Sequence, residues 1–168
     1  VEGRDSSDAV VPSPFVFDVP LQPASGGRTE QTFDAVGLPY VLVNYQGPEA
    51  QVVTTESSNF LRFTDPLATN VRNSVFFSAT GSGRQDTIEV DYDFRIARRA
   101  GQATDPDGMT MALLPISLYG SAGPTQSPNM TDLPGVLAVY FDTFQNSGDP
   151  NANHVQLHYN GVKVGEFA

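Results

Sequence analysis

Residues 136–159 read VLAVYFDTFQNSGDPNANHVQLHY. Val136 to Phe144 is nearly all apolar and of strand length, which predicts a strand buried on both faces in mid-sheet. The polar stretch after it bears Asn146, Asp149, Asn151 and Asn153, residues that bond their own backbone and favour turns. A second strand is then predicted from Val155 to Tyr159, entered through His154. Strand, tight loop and strand is an antiparallel unit. The rest of the chain also reads as short strands joined by turns, with no internal repeat.

Upstream, Thr87 to Ile96 shows the clearest alternation. Ile88, Val90, Tyr92, Phe94 and Ile96 fall on one face, and Thr87, Glu89, Asp91, Asp93 and Arg95 on the other. This predicts a half-buried antiparallel strand with one face in water. Further strands are predicted at Phe15–Val19, Pro39–Tyr45, Asn59–Thr64, Ser74–Ala79, Met109–Leu114, Ile116–Tyr119 and Val162–Val164, with Pro115 splitting the fifth from the sixth. No window carries apolar spacing of three and four with caps, so no helix longer than one turn is expected. Many short strands with Gly, Pro, Asn and Asp between them mean a sandwich or barrel. Residues 1–14 read as a loose polar arm and residues 15–168 as one domain.

Composition narrows the function. The 168 residues carry 9 basic and 19 acidic side chains, for a net charge of −10. Such a chain is a poor partner for phosphate backbones or anionic membranes. Clustered carboxylates suit a hard cation such as calcium. There is no cysteine, so disulfides and thiolate chemistry are excluded. No apolar run approaches the roughly 20 residues of a membrane span. The opening VEGRDSSDAV has no signal-peptide pattern, which suggests a removed leader or an excised module. Asn129-Met130-Thr131 is a glycosylation sequon of little weight.

Oxygen donors recur at Asp142, Asn146 and Asp149 across the tight loop. Calcium takes six to eight oxygens from carboxylates, amides, carbonyls and water, so a loop pinned between strands can gather several on one ion. Turn chemistry alone also accounts for Asp and Asn here. An EF-hand fits poorly, because no Glu closes the loop and helices are lacking. Glu89, Asp91 and Asp93 share a strand face, as do the carboxylates of some sandwich-fold glycosidases. A solvated strand face explains them more simply. No Ser-His-Asp order, phosphate loop or His/Cys cluster is present.

The segment AVYFDTFQNSGDPNANHV resembles the metal-binding segment of legume and other L-type lectins, which reads roughly AVEFDT-aromatic-x-N, then D-P, then H-[IV]. Asp142, Thr143, Phe144, Asn146, Asp149, Pro150 and His154 stand in register with it. Tyr92 to Ile96 followed by Asp107-Gly108-Met109 is similar to the family's strand and its A-D-G-[LIM] loop. More weakly, LRFT, Asn70 and SVFF within Asn59–Phe77 resemble two further pieces.

The resemblance implies an all-β, concanavalin A-like antiparallel β-sandwich (a jelly roll), here lacking the family's last strands. It implies a calcium-dependent, carbohydrate-binding module rather than an enzyme, with a glycan or glycoprotein as partner. An extracellular or cell-surface, adhesion-type setting would follow. Asp142 and Asp149 would ligate calcium through carboxylates, Asn146 through its amide oxygen and Phe144 through its carbonyl, with His154 behind them. Asp107, Gly108, Asn146, Phe144 and Tyr119 would meet the sugar. Where many plant members carry a Glu for a transition metal, this chain has Tyr140; Asp142, Asp149 and His154 remain but a fourth protein ligand is missing, so calcium alone is favoured, with a second, manganese-like site as the alternative. The family's Gly-Gly loop has no clear counterpart in 119–135. A glycosidase of the same fold and a calcium-stapled structural domain are the alternatives.

Overall fold

The computed structural model describes residues 30–34, 39–56, 58–65, 67–78, 87–97, 106–124 and 129–168. Among them are eight strands, a one-turn helix and a 3₁₀ turn. The strands are β1 (Tyr40–Gln46), β2 (Gln51–Thr54), β3 (Asn59–Arg62), β4 (Arg72–Phe77), β5 (Gly108–Leu113), β6 (Leu137–Asp142), β7 (His154–Tyr159) and β8 (Val162–Phe167). The helix, α1, is Ile116–Tyr119 and the 3₁₀ turn is Met130–Asp132. All pairing is antiparallel: β1 with β4, β2 with β3, and a four-stranded sheet in the order β5-β6-β7-β8. The described residues thus form an all-β structure with almost no helix. No described helix is long and apolar enough to cross a membrane.

The four-stranded sheet has two chemically different faces. Residues opposite each other across a ladder share a face. Tyr140 pairs with Thr110 and Gln156, Asp142 with Gly108 and His154, and Ala138 with Ala112 and His158. That face is polar. The other carries Met109, Met111 and Leu113 opposite Phe141, Val139 and Leu137, then Val155, Leu157 and Tyr159. β6 is therefore not buried evenly on both faces. Ala138 and Asp142 are buried, whereas Leu137 is exposed. An apolar stretch of six residues still obeys period two, and here its Tyr and Asp are spent on the functional side.

Two bulges redirect side chains. In β1 the register steps between Asn44 and Gln46, leaving Tyr45 as the extra residue. Its hydroxyl donates to the Pro124 carbonyl at 2.8 Å, tying this strand pair to the loop after α1. Phe76 of β4 packs at the same place, where a Cβ on Gly123 would strike its ring. Asn73 of β4 donates to the carbonyls of Pro48 (2.8 Å) and Phe63 (2.6 Å), joining β4 to the turns flanking β2 and β3. The second bulge, in β8, serves the site below.

Several expectations need correction. Thr87–Ile96 has no regular secondary structure and joins no ladder with the described residues. Nor is its apolar face half-buried among the described residues: Ile88, Val90, Tyr92 and Phe94 are exposed, although the rings of Tyr92 and Phe94 lie 6.5 and 4.7 Å from that of Phe141. Periodicity reports which side chains share a face; it does not report a hydrogen-bonding partner. Ile116–Tyr119 is helix, not strand. Pro115 offers no N–H to a ladder, its carbonyl accepts from Leu118 and Tyr119, and Gly120 at φ 67° ends the turn. β2, only four residues between turns, was not foreseen. The expected strand at Phe15–Val19 and the arm 1–14 lie outside the described residues.

Candidate metal centre

Asp142 ends β6 and His154 opens β7 directly opposite it. Both are buried, each 3% exposed. The intervening loop folds back to bring Asp149 to them. Ligand atoms of Asp142, Asp149 and His154 all lie within 4.8 Å of one another, a group able to hold a metal ion. His154 Nε2 is 3.8 Å from Asp142 Oδ2 and 3.8 Å from Asp149 Oδ1.

The carboxylates are held by the loop itself. Asp142 Oδ1 accepts from the Phe144 N–H at 2.9 Å, and Asp149 Oδ2 from the Asn146 N–H at 2.6 Å. The Asn146 amide donates to the Phe144 carbonyl at 3.5 Å, and the Asp149 N–H to the Asn146 carbonyl at 3.2 Å. Each aspartate thus turns one oxygen to the loop and the other to His154. On the loop side the structure brings together Asp142, Phe144, Asn146 and Asp149, the four residues expected to ligate calcium. The contacts that join them are N–H groups on oxygens. His154 does not stand behind them; its Nε2 faces the second oxygen of each carboxylate, 3.8 Å away.

The histidine is oriented from its other nitrogen. Nδ1 donates to the Asn151 carbonyl at 3.0 Å, which leaves the Nε2 lone pair directed at the carboxylates. The Gln156 amide N–H caps that lone pair at 2.7 Å, and the His158 Nε2–H donates to the Gln156 oxygen at 2.9 Å. His158 Nδ1 is buried without a partner. Burial pushes the His158 imidazole below its ordinary value, Lys163 adding to the effect while Asp132 and Glu166 oppose it. The unfolded chain therefore takes up this proton first as pH falls through about 6.5. Stability tied to His158 is full above that pH and declines below it. Thermal melts from pH 7 to pH 5 should fall more steeply for the wild type than for His158→Gln. Equal slopes would refute the assignment.

Asp107 and Gly108 sit beside this loop. The Asp107 carbonyl accepts from the Tyr140 hydroxyl at 2.7 Å and from the Thr143 N–H at 3.4 Å. Thr143 Oγ1 donates to the Pro106 carbonyl at 2.6 Å. Burial, then the charges of Asp142, Asp107 and Asp149, push the Tyr140 phenol well above its ordinary range. It stays a donor, fastening the 106–107 segment to the metal loop. Asp107 and Gly108 thus lie at the same end of the sheet as the loop that carries Phe144 and Asn146. Tyr119 does not join them. It follows the far end of β5, where its hydroxyl donates to the Pro134 carbonyl at 2.8 Å. Five residues of strand, about 17 Å, separate the two ends.

On the apolar face an open hollow of ≈ 500 Å³ lies among Phe94, Ile96, Phe141, Val155 and Phe167. Asp142 and His154 of the metal group also line it, as do Thr143 and Asn153, whereas Asp149 does not. Sequence reasoning missed Gln156 and Glu166, and gave Thr143 a place in the motif but no role. Glu166 lies 3.7 Å from His154 Nε2 through Oε1. Only the register of β8 reveals it. Set against protein-family models, curated proteins and solved structures, the chain matches none of them.

Proposed function

We propose that this chain is a calcium-dependent carbohydrate-binding module of the L-type lectin kind, not an enzyme, acting on extracellular glycans or glycoproteins. The antiparallel sheets would then be parts of a concanavalin A-like β-sandwich. One observation carries the reading: the loop 142–149 hydrogen-bonds its four expected ligands to one another, and Thr143 and Tyr140 fasten Asp107 against it. Calcium would lock this loop and so fix Asn146 and Asp107 for directional bonds to adjacent sugar hydroxyls. The sugar contact set is Asp107, Gly108, Phe144 and Asn146, without Tyr119.

A glycan array probed in calcium and again in chelator tests this. Calcium-dependent glycan binding that Asp107→Ala abolishes is the expected result. A calcium-raised melting temperature with no glycan bound would replace the reading with that of a metal-stapled structural domain.

A further inference from the structure

β7 and β8 are joined by Asn160 and Gly161 alone, between the paired Tyr159 and Val162. Their φ angles, 52° and 80°, are both left-handed, the condition for the type I′ turn that Asn-Gly favours. Both residues are exposed, as are Tyr159 and Val162 beside them. Of the chain's asparagines only Asn160 is followed by glycine.

The two ends of the Asn160 amide are held differently. Its Oδ1 accepts from the Gly135 N–H at 2.8 Å, while its Nδ2 has no hydrogen-bond partner among the described residues. A donor on the carbonyl oxygen draws charge from Cγ and stabilises an oxyanion formed there. The nitrogen that would leave is unhindered. Gly161 supplies the nucleophile. With no side chain to obstruct it, its backbone nitrogen can swing to Cγ when the turn opens.

We propose that Asn160 is a site of spontaneous deamidation whose isoaspartate product releases β8. The Gly161 nitrogen gives its proton to a solvent base and attacks Asn160 Cγ. The new C–N bond forms, the Cγ–Nδ2 bond breaks, and Nδ2 takes up a proton and leaves as ammonia. One water then opens the cyclic imide. Attack at Cγ leaves aspartate; attack at the main-chain carbonyl leaves isoaspartate, whose backbone runs through Cγ and gains a methylene. A two-residue turn has no slack for that methylene, because it fixes the register of both strands. β8 depends on this register. The pairing shifts once, between Leu157 and His158, leaving Val164 unpaired and bringing Lys163 and Glu166 to one side, 2.7 Å apart. Among the described residues β8 pairs with β7 only, so no second ladder compensates. The reaction needs neither calcium nor sugar.

The test incubates the full chain in chelator at mildly alkaline pH. Peptide mass mapping reads conversion, and isoaspartate-specific methylation counts the rearranged product. Conversion at Asn160 should run severalfold faster than at any other asparagine and should rise with pH, as loss of the Gly161 proton requires. Asn160→Gln should remove most of the methylation. In the isoaspartate fraction the amides of Val162–Phe167 should exchange hydrogen severalfold faster than in the untreated chain. Asn160→Asp adds the charge without the methylene and should keep the slower exchange. Conversion at Asn160 no faster than elsewhere would overturn the site. Unchanged β8 exchange in the isoaspartate fraction, or equal loosening in Asn160→Asp, would overturn the release.

Discussion

The Asp142→Ala/Asp149→Ala double variant is expected to lose the whole calcium-dependent rise in melting temperature. An ion that binds only the folded chain adds about 2.7 kcal/mol at a hundredfold excess over its dissociation constant. For a chain of this size that is several degrees. The variant removes both carboxylates that line the loop. It also removes the acceptors of the Phe144 and Asn146 N–H groups, 2.9 and 2.6 Å away. The second loss costs stability by itself, of order 1 kcal/mol per bond. Asp142→Asn/Asp149→Asn separates the two effects, because an amide oxygen can still accept those N–H groups while the charge is gone. Both double variants should show no calcium shift, and the Asn pair should keep more of its calcium-free stability. Differential scanning calorimetry with calcium and with chelator reads both quantities. Calcium shifts alike in wild type and variants, or absent from all, would end the loop-side assignment.

Gly108→Ala should be the most damaging single methyl group in the sheet. Gly108 opens β5 opposite Asp142 with φ 128°, a conformation that only glycine adopts readily. A Cβ there would run into the Phe141 carbonyl of β6. β5 must then part from β6 where the Asp107 carbonyl takes the Tyr140 hydroxyl. Backbone strain of about 1–3 kcal/mol adds to this steric cost, so a loss of about 3 kcal/mol or more is expected. Gly148→Ala is the control. Its φ is 101°, but nothing lies within 4 Å of the added carbon. It should show the strain alone. Chemical denaturation in chelator compares the two, and equal losses would contradict the steric account.

How far the primary structure could be read differs from element to element. The segment 136–159 announced β6, the loop and β7 because two apolar stretches enclose a run of turn-formers. It also announced Asp142, Asn146, Asp149 and His154 as neighbours, since a tight loop between paired strands leaves them nowhere else to go. Tyr119 was misplaced for the opposite reason. It stands close to the 120s loop in the chain, and only the ladder shows that β5 carries it away from Gly108. Tyr140 stands where many members of the resembled family carry a Glu, and in this structure its hydroxyl donates to the Asp107 carbonyl.

What the chain order determined was local. Period-two patterning, Pro115 and the Asn/Asp/Gly turns decide where strands run and stop, because they act through steric limits within a few residues. Tertiary structure alone decided which strands lie side by side and in what register. That choice put the polar residues of β6, β7 and β8 on one face. The bulge at Val164 shows why no pattern could foretell it. One unpaired residue reverses the parity of everything after it, and so Glu166 reaches His154 only once the strands have paired.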